Sequence, residues 1–532
     1  MAKPGVFLRE ATGLVREIGS MDATILAIGG IIGPTWIIGF ASMWFLFPGV
    51  NVAAAFAIMG TLCALHGIYY ILITAVMPRS GGGAYVPLSR TIHPAFGLGM
   101  SFVMVFAYIF NVAAVASFTV NAGILGPIST YGIVTHNTGL VDLATALSTP
   151  TMTLVTGTIT LILVLSVLVA GTRVMMRINK IAIVIGNLGF AAVYYILLTT
   201  NQEYFRTAYN NFVGSAGAYE NVILAAKSGG LSIPANWLTP TLFALPMAFF
   251  LITSYQSGTY YSGEIRRITR SMPISVIGSI IYGAIVFSSM AFLMERAFGG
   301  DFVKSLVYLF NAQPSQYPLA IAPWVSSFVV LLNSNVILTA IMVAGFAAFG
   351  YLLMIVLAFI PSRHFFAWSF DRVFPSRLSD VSDRFHTPVI AVLCIGAICE
   401  VALVFYVFLP TVLAPVNLTF FFIVAWMLDG LAGMALPWRA RGTFERAPAI
   451  ARKKIAGIPV IAIAGAYDVI LVFALFLMCL YNPAASGPLG LGTMASLLAV
   501  FILGVLVFYG MKTYHARQGL DIMLAFKEIP PE

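Results

Sequence analysis

Charge is scarce in this 532-residue chain: Asp, Glu, Lys and Arg make up 9% of it, where soluble domains carry about 25%. With 60% hydrophobic residues and a mean hydropathy of +0.96, this excludes a soluble globular protein and leaves an all-α polytopic membrane protein. Cysteine is scarce too. Cys63, Cys394, Cys399 and Cys479 all fall in apolar runs, so they read as small hydrophobes rather than a disulfide framework. The first 20 residues carry charge but no apolar core, which argues against a cleavable signal peptide. No His-rich metal spacing, Walker loop or Gly-x-Ser-x-Gly appears, so an enzyme is not expected, nor a metal or cofactor. A channel would want a repeated filter segment, and none is present.

What the chain does have is apolar runs of about 20 residues, the length that crosses a hydrocarbon core. Twelve are placed near 21–46, 51–77, 94–127, 151–171, 180–200, 238–263, 272–297, 338–361, 388–409, 412–437, 459–480 and 490–511. Lysine and arginine test that count independently. With both termini cytoplasmic, 24 of the 28 fall on the inner side, and only Arg206, Lys227, Arg296 and Lys304 lie outside. One missed span would invert everything after it. The net charge of +9 therefore reports membrane topology, and nucleic acid is not an expected partner. The expected partners are the lipid bilayer of a cell membrane and a small-molecule substrate, bound by a monomer or homodimer.

Span 1 contains AIGGIIGPTWIIG at 27–39, four glycines and a proline within thirteen apolar residues. Interior glycine costs a helix about 1 kcal/mol relative to alanine and interior proline about 3. Close packing through small residues accounts for Gly29 and Gly33 but not for Pro34. In a bilayer, unwound backbone survives only where it lines a cavity or is buried in protein. Span 6 supplies a matching interruption, with Tyr255, Gln256, Ser257, Gly258 and Thr259 consecutive in an apolar run. Two discontinuous helices five spans apart point to inverted repeats around a central binding site. Residues 29–35 and 255–259 are accordingly expected to be non-helical and to face one another.

Four stretches between residues 20 and 390 resemble the amino acid-polyamine-organocation (APC) superfamily of secondary transporters. They are Ile31–Ile37 in span 1, MPRSGGGAYVPLSRTIHP at 77–94, GEIRRITRSMP at 263–273, and SRHFFAWSFDRVFP at 362–375 with HTPV at 386–389. The resemblance implies two inverted five-helix repeats, spans 1–5 (residues 21–200) and 6–10 (238–437), with broken helices 1 and 6. Around them come tails at 1–20 and 512–532, an external loop at 201–237, a basic loop at 438–458 and peripheral helices 11 and 12 at 459–511. It implies a permease for amino acids, with other organic amines, nucleobases or a receptor role as alternatives. The substrate carboxylate would meet free N–H groups of the span 1 break and its ammonium the carbonyls of spans 1 and 6. This chain departs from the pattern at Pro34, which has no N–H to give, while Thr35 offers both N–H and hydroxyl.

The substrate-binding candidates are thus Gly29, Gly30, Ile31, Ile32, Gly33 and Thr35 in span 1 and Tyr255 to Thr259 in span 6. Tyr108 and Asn111 in span 3 are candidate lining, and Trp426 in span 10 either walls the pocket or faces lipid. The central parts of spans 1, 3, 6 and 8 hold no Asp or Glu to balance a second positive charge, which favours a neutral amino acid. Gating or coupling candidates are Asp22, Arg79, Glu264 and Asp429. Glu264 reads as a gate or a structural ion pair with Arg79, Arg266 or Arg267. His66 in span 2 is an interhelical hydrogen-bonding residue or a proton carrier, and Glu400 and Asp468 either touch substrate or pair with neighbouring helices. Sodium-coupled relatives use hydroxyls of span 8, but the run Ala340–Pro361 has no Ser or Thr, with 318–334 assigned to an external helix. The lysine that some proton-coupled relatives carry in span 5 aligns with Gly186, leaving Lys180 at the cytoplasmic end. An exchanger, a uniporter, or proton coupling through a group such as Asp22 or Glu264 follows.

Overall fold

The computed structural model describes residues 13–78, 81–413, 417–482 and 490–528. Arg79 lies outside them. Among the described residues ten helices are long and apolar enough to cross a membrane, eleven if Ser20–Ile31 and Thr35–Leu46, bent by 42° to one another, make one span. These correspond to the segments read as spans 1–5 and 7–12. The segment read as span 6 instead consists of short pieces, Leu238–Phe243 and Leu245–Ile252, followed by 3₁₀ turns at Tyr255–Thr259 and Ser262–Glu264.

Asparagine starts several of the helices. The side chain of Asn51 accepts the N–H of Ala54 at 2.9 Å, that of Asn335 the N–H of Ile337 at 2.9 Å, and that of Asn417 the N–H of Phe420 at 3.0 Å. Helices then close on one another through small residues, as expected where lipid offers no hydrophobic drive between them. Gly189 of span 5 meets Gly345 of span 8 so closely that an added Cβ would lie 2.6 Å from the facing Cα. Gly430 and Gly465 bring spans 10 and 11 together in the same way. Large apolar side chains such as Leu163, Leu188, Ile285, Leu393, Ile470 and Leu506 remain exposed on the outer helices, the surface a bilayer would cover.

Several expected boundaries move. The span 1 break is three residues, 32–34, so Gly29, Gly30 and Ile31 are helical, contrary to expectation. Pro34 explains the position: its missing N–H is the one that would bond the carbonyl of Gly30, and the helix runs on until that bond is required. Residues 255–259, expected to be non-helical, form a 3₁₀ turn. Span 8 extends from Val336 to Phe370, straight through Pro361, and the external helix shrinks to Val325–Leu332. Span 3 continues through a π-helical turn at Thr119–Leu125 to Val134. The loop at 201–237 is itself largely helical, with Tyr219 stacked on Phe302 at 4.3 Å.

Candidate functional site

Span 1 and span 6 stop being α-helical next to one another, with Gly30 of the one against Ser254 of the other. The helix ending at Ile31 leaves the carbonyls of Gly29 to Ile31 without helical partners, and the helix ending at Ile252 does the same for Phe250 to Ile252. A third helix begins at Thr35. Neither Gly33 N–H nor Thr35 N–H enters a backbone hydrogen bond among the described residues. Two negative helix ends and one positive end thus converge, with Thr253 extended and Ser254 sharply turned between span 6 and its first 3₁₀ turn.

They converge on a cavity. Gly30, Ile31 and Thr35 line it from span 1, Tyr108 and Asn111 from span 3, and Trp426 from span 10. Trp426 is buried and stacks on Phe422 at 4.9 Å, so it does not face lipid. The remaining lining was not anticipated: Phe250, Leu251, Thr253 and Ser254 of span 6, Leu353 and Leu357 of span 8, and Phe422. Among the described residues, no Asp, Glu, Lys or Arg lines the cavity.

The other anticipated residues lie elsewhere. Gly29 packs against Leu352 and Gly33 against Leu353, while Ile32 is fully buried outside the lining. Tyr255 bonds to His66, Ser257 to Tyr261 at 3.0 Å, and Gly258 rests on Met272. Gln256 is fully buried, with neither amide atom partnered among the described residues. Thr259 lines a separate small cavity with Tyr69, Tyr70 and Asp429. The span 6 contribution therefore comes from 250–254 rather than 255–259, because the helix gives out at Ile252, before the polar run begins.

Below this cavity the loop motifs meet at the end of the bundle that carries the described ends of both tails. Gly82 and Gly83 both adopt positive φ, and a Cβ on Gly83 would overlap the Tyr260 ring, so the glycine run lets this loop lie against the span 6 break. Gly82 N–H bonds the carbonyl of Tyr260 at 2.9 Å, and Ile18 brackets Glu264 and Arg266 by backbone bonds of 3.0 and 2.8 Å. Arg90 grips Asp371 through two 2.7 Å bonds.

Glu264 is 1% exposed and takes its charge partner from span 8, not from Arg266 or Arg267. Arg363 donates to it at 2.6 and 3.1 Å, and the Thr172 hydroxyl adds a third bond at 2.8 Å. The guanidinium also lies over Phe359, 4.2 Å from the ring centre. A span 8 ending at Pro361 would leave Arg363 in the loop, but the helix runs on to Phe370 and carries it. Asp22 pairs with Lys180 at 2.8 Å and accepts Gly19 N–H at 3.1 Å. Glu400 accepts the Thr158 hydroxyl at 2.6 Å, which makes it a link between spans 4 and 9.

A polytopic helical bundle with an uncharged cavity at converging helix ends belongs to the class of membrane carriers for small molecules. The sequence model of the amino acid permease family matches residues 22–523, and the chain belongs to that family, within the APC superfamily. It is a multi-pass membrane transporter of amino acids or organic cations, and its family is one of transporters rather than enzymes. No individual curated protein matches it.

Proposed function

We propose that the chain carries neutral amino acids by alternating access through the central cavity. The observation that carries this reading is the uncharged lining set between three helix ends. A zwitterion needs one site for each of its charges and nothing more: the N–H groups of Gly33 and Thr35, with the Thr35 hydroxyl, suit a carboxylate. The free carbonyls of Gly30, Ile31 and Leu251 suit an ammonium. An apolar substrate side chain would then rest on Phe250, Leu353, Leu357, Phe422 and Trp426. A diamine would carry a second cation into a site with no carboxylate, at a cost of several kcal/mol.

In this reading the segment 238–264 is a twelfth, broken span, spans 1–5 and 6–10 are inverted repeats, and both termini are cytoplasmic, as the lysine and arginine distribution supports. Glu264, Arg363 and Thr172, with Arg90 and Asp371, then form the closed cytoplasmic gate. Sodium coupling through span 8 hydroxyls is not part of this reading: span 8 has no Ser or Thr from Ala340 to Pro361, and its Phe349 packs on Gly186 and on Phe190 at 4.6 Å.

Competition for binding by a panel of amino acids, polyamines and nucleobases tests the substrate class. Leucine or alanine should displace a bound neutral amino acid, and putrescine should not. Displacement by putrescine with none by leucine would reverse the assignment.

A further inference from the structure

A second polar cluster, outside the cavity, joins spans 2, 6, 10 and 11. His66 Nε2 lies 2.6 Å from Asp468 Oδ1, and both side chains are fully buried. The other ring nitrogen, Nδ1, shares a hydrogen bond with the hydroxyl of Tyr255 in the span 6 break. The second oxygen of Asp468 accepts Gly430 N–H at 2.9 Å. Beside it, Asp429 accepts the Tyr70 hydroxyl at 3.2 Å on its carboxylate and the Tyr69 hydroxyl at 2.5 Å on its carbonyl.

We propose that His66, Asp468 and Asp429 form a proton-binding site that couples transport, and that Tyr255 conveys its state to the span 6 break. The proposal rests on the transport reading above. The titratable groups facing the cluster are Tyr467 from span 11, Tyr255 and Tyr260 from the break, Cys63, Tyr69 and Tyr70 from span 2, Tyr108 from span 3, and, across a cavity that Asp429 lines, Tyr85 after span 2 and His364 of span 8. Span 7 meets Gly67, the neighbour of His66 in span 2, through Val276 and Ile280. No lysine or arginine pairs with either aspartate among the described residues. Two carboxylates and one imidazole without a permanent cation make the fully deprotonated state costly, so the cluster is suited to gaining and losing a proton.

Access and output are both present. Asp429 lines two small cavities on the side of the glycine-rich loop, whereas His66 is sealed. With a neutral ring, Nε2–H donates to Asp468 and Nδ1 accepts the hydrogen of Tyr255. One added proton makes Nδ1 a donor, and the hydrogen of Tyr255 must turn to another acceptor, the adjacent Cys63 sulfur among them. That reverses the bond anchoring the break to span 2, one residue from Ser254 in the substrate cavity. The other acidic candidates are already engaged, Asp22 by Lys180 and Glu264 by Arg363.

The test uses the full chain in proteoliposomes with labelled leucine. An inward proton gradient should drive accumulation, and an equal sodium gradient should not. His66→Gln and Asp468→Asn should each cut proton-driven accumulation by about tenfold or more, while exchange of internal for external leucine persists. Wild-type accumulation indifferent to the proton gradient, or undiminished in both variants, would overturn the proposal. Absence of leucine exchange in the wild type would instead indict the substrate reading. Nitrogen-15 histidine NMR then decides the proton site by itself. The His66 ring signals should change between the neutral and doubly protonated forms as proton is supplied and differ in Asp468→Asn, and a ring of constant protonation overturns the proposal.

Discussion

Leucine in place of Gly30 is expected to reduce uptake to under about 1% of wild type without loss of protein from the membrane. Gly30 lines the cavity, and even a single Cβ there would lie 1.9 Å from the Ser254 Oγ and 2.7 Å from its Cβ. The hydroxyl can rotate away, but the Ser254 Cβ is fixed to the break. A leucine would fill the space between the two interrupted helices and push Ser254 from its place. Alanine at the same position should produce a partial loss. Gly510, whose added Cβ would meet nothing within 4 Å, provides the control: Gly510→Leu should transport normally. Uptake by the Gly30→Leu protein at wild-type rates would mean that the substrate does not pass between these helices.

Removing the carboxylate of Glu264 is expected to destabilise the protein by about 3–5 kcal/mol, because Arg363 would be left as an uncompensated buried charge. Both side chains are 1% exposed, so solvent cannot take over the role of the missing partner. Glu264→Ala should therefore unfold at a clearly lower temperature in detergent. The double variant Glu264→Leu/Arg363→Met, which removes both charges, should recover much of the loss. It should also transport poorly, since the link that ties the span 6 break to span 8 and Thr172 would be gone. Equal unfolding temperatures for wild type, single and double variants would show that the pair bears no load, and unchanged transport by the double variant would remove it from the gate.

The parts of this structure that were legible in the sequence are those written locally. Pro34 among glycines marks a break whatever surrounds it, and Asn111 or Trp426 stands out in an apolar helix. Lysine and arginine placement follows from insertion into the membrane, one loop at a time. What was illegible depends on partners far away in the chain. Leu353, Leu357 and Phe422 line the cavity, yet as residues they cannot be told from those that face lipid. Arg363 was hidden behind Pro361, since a proline inside a helix of 35 residues is tolerated where neighbours stabilise the turn. The polar run 255–259 marks the interruption while Thr253 and Ser254 line the cavity, because composition shows that a helix is interrupted but not at which residue. The pairing of His66 with Asp468, some 400 residues on, has no local signal at all.

Cryo-electron microscopy of the full chain saturated with leucine tests the central claim most directly. Density for the amino acid should fill the cavity, with its carboxylate on the N–H groups of Gly33 and Thr35, its ammonium toward the carbonyls of Gly30 and Ile31, and its side chain on Phe422 and Trp426. Leucine bound instead beside Tyr255 to Thr259, or an empty central cavity in a protein that transports leucine, would contradict it.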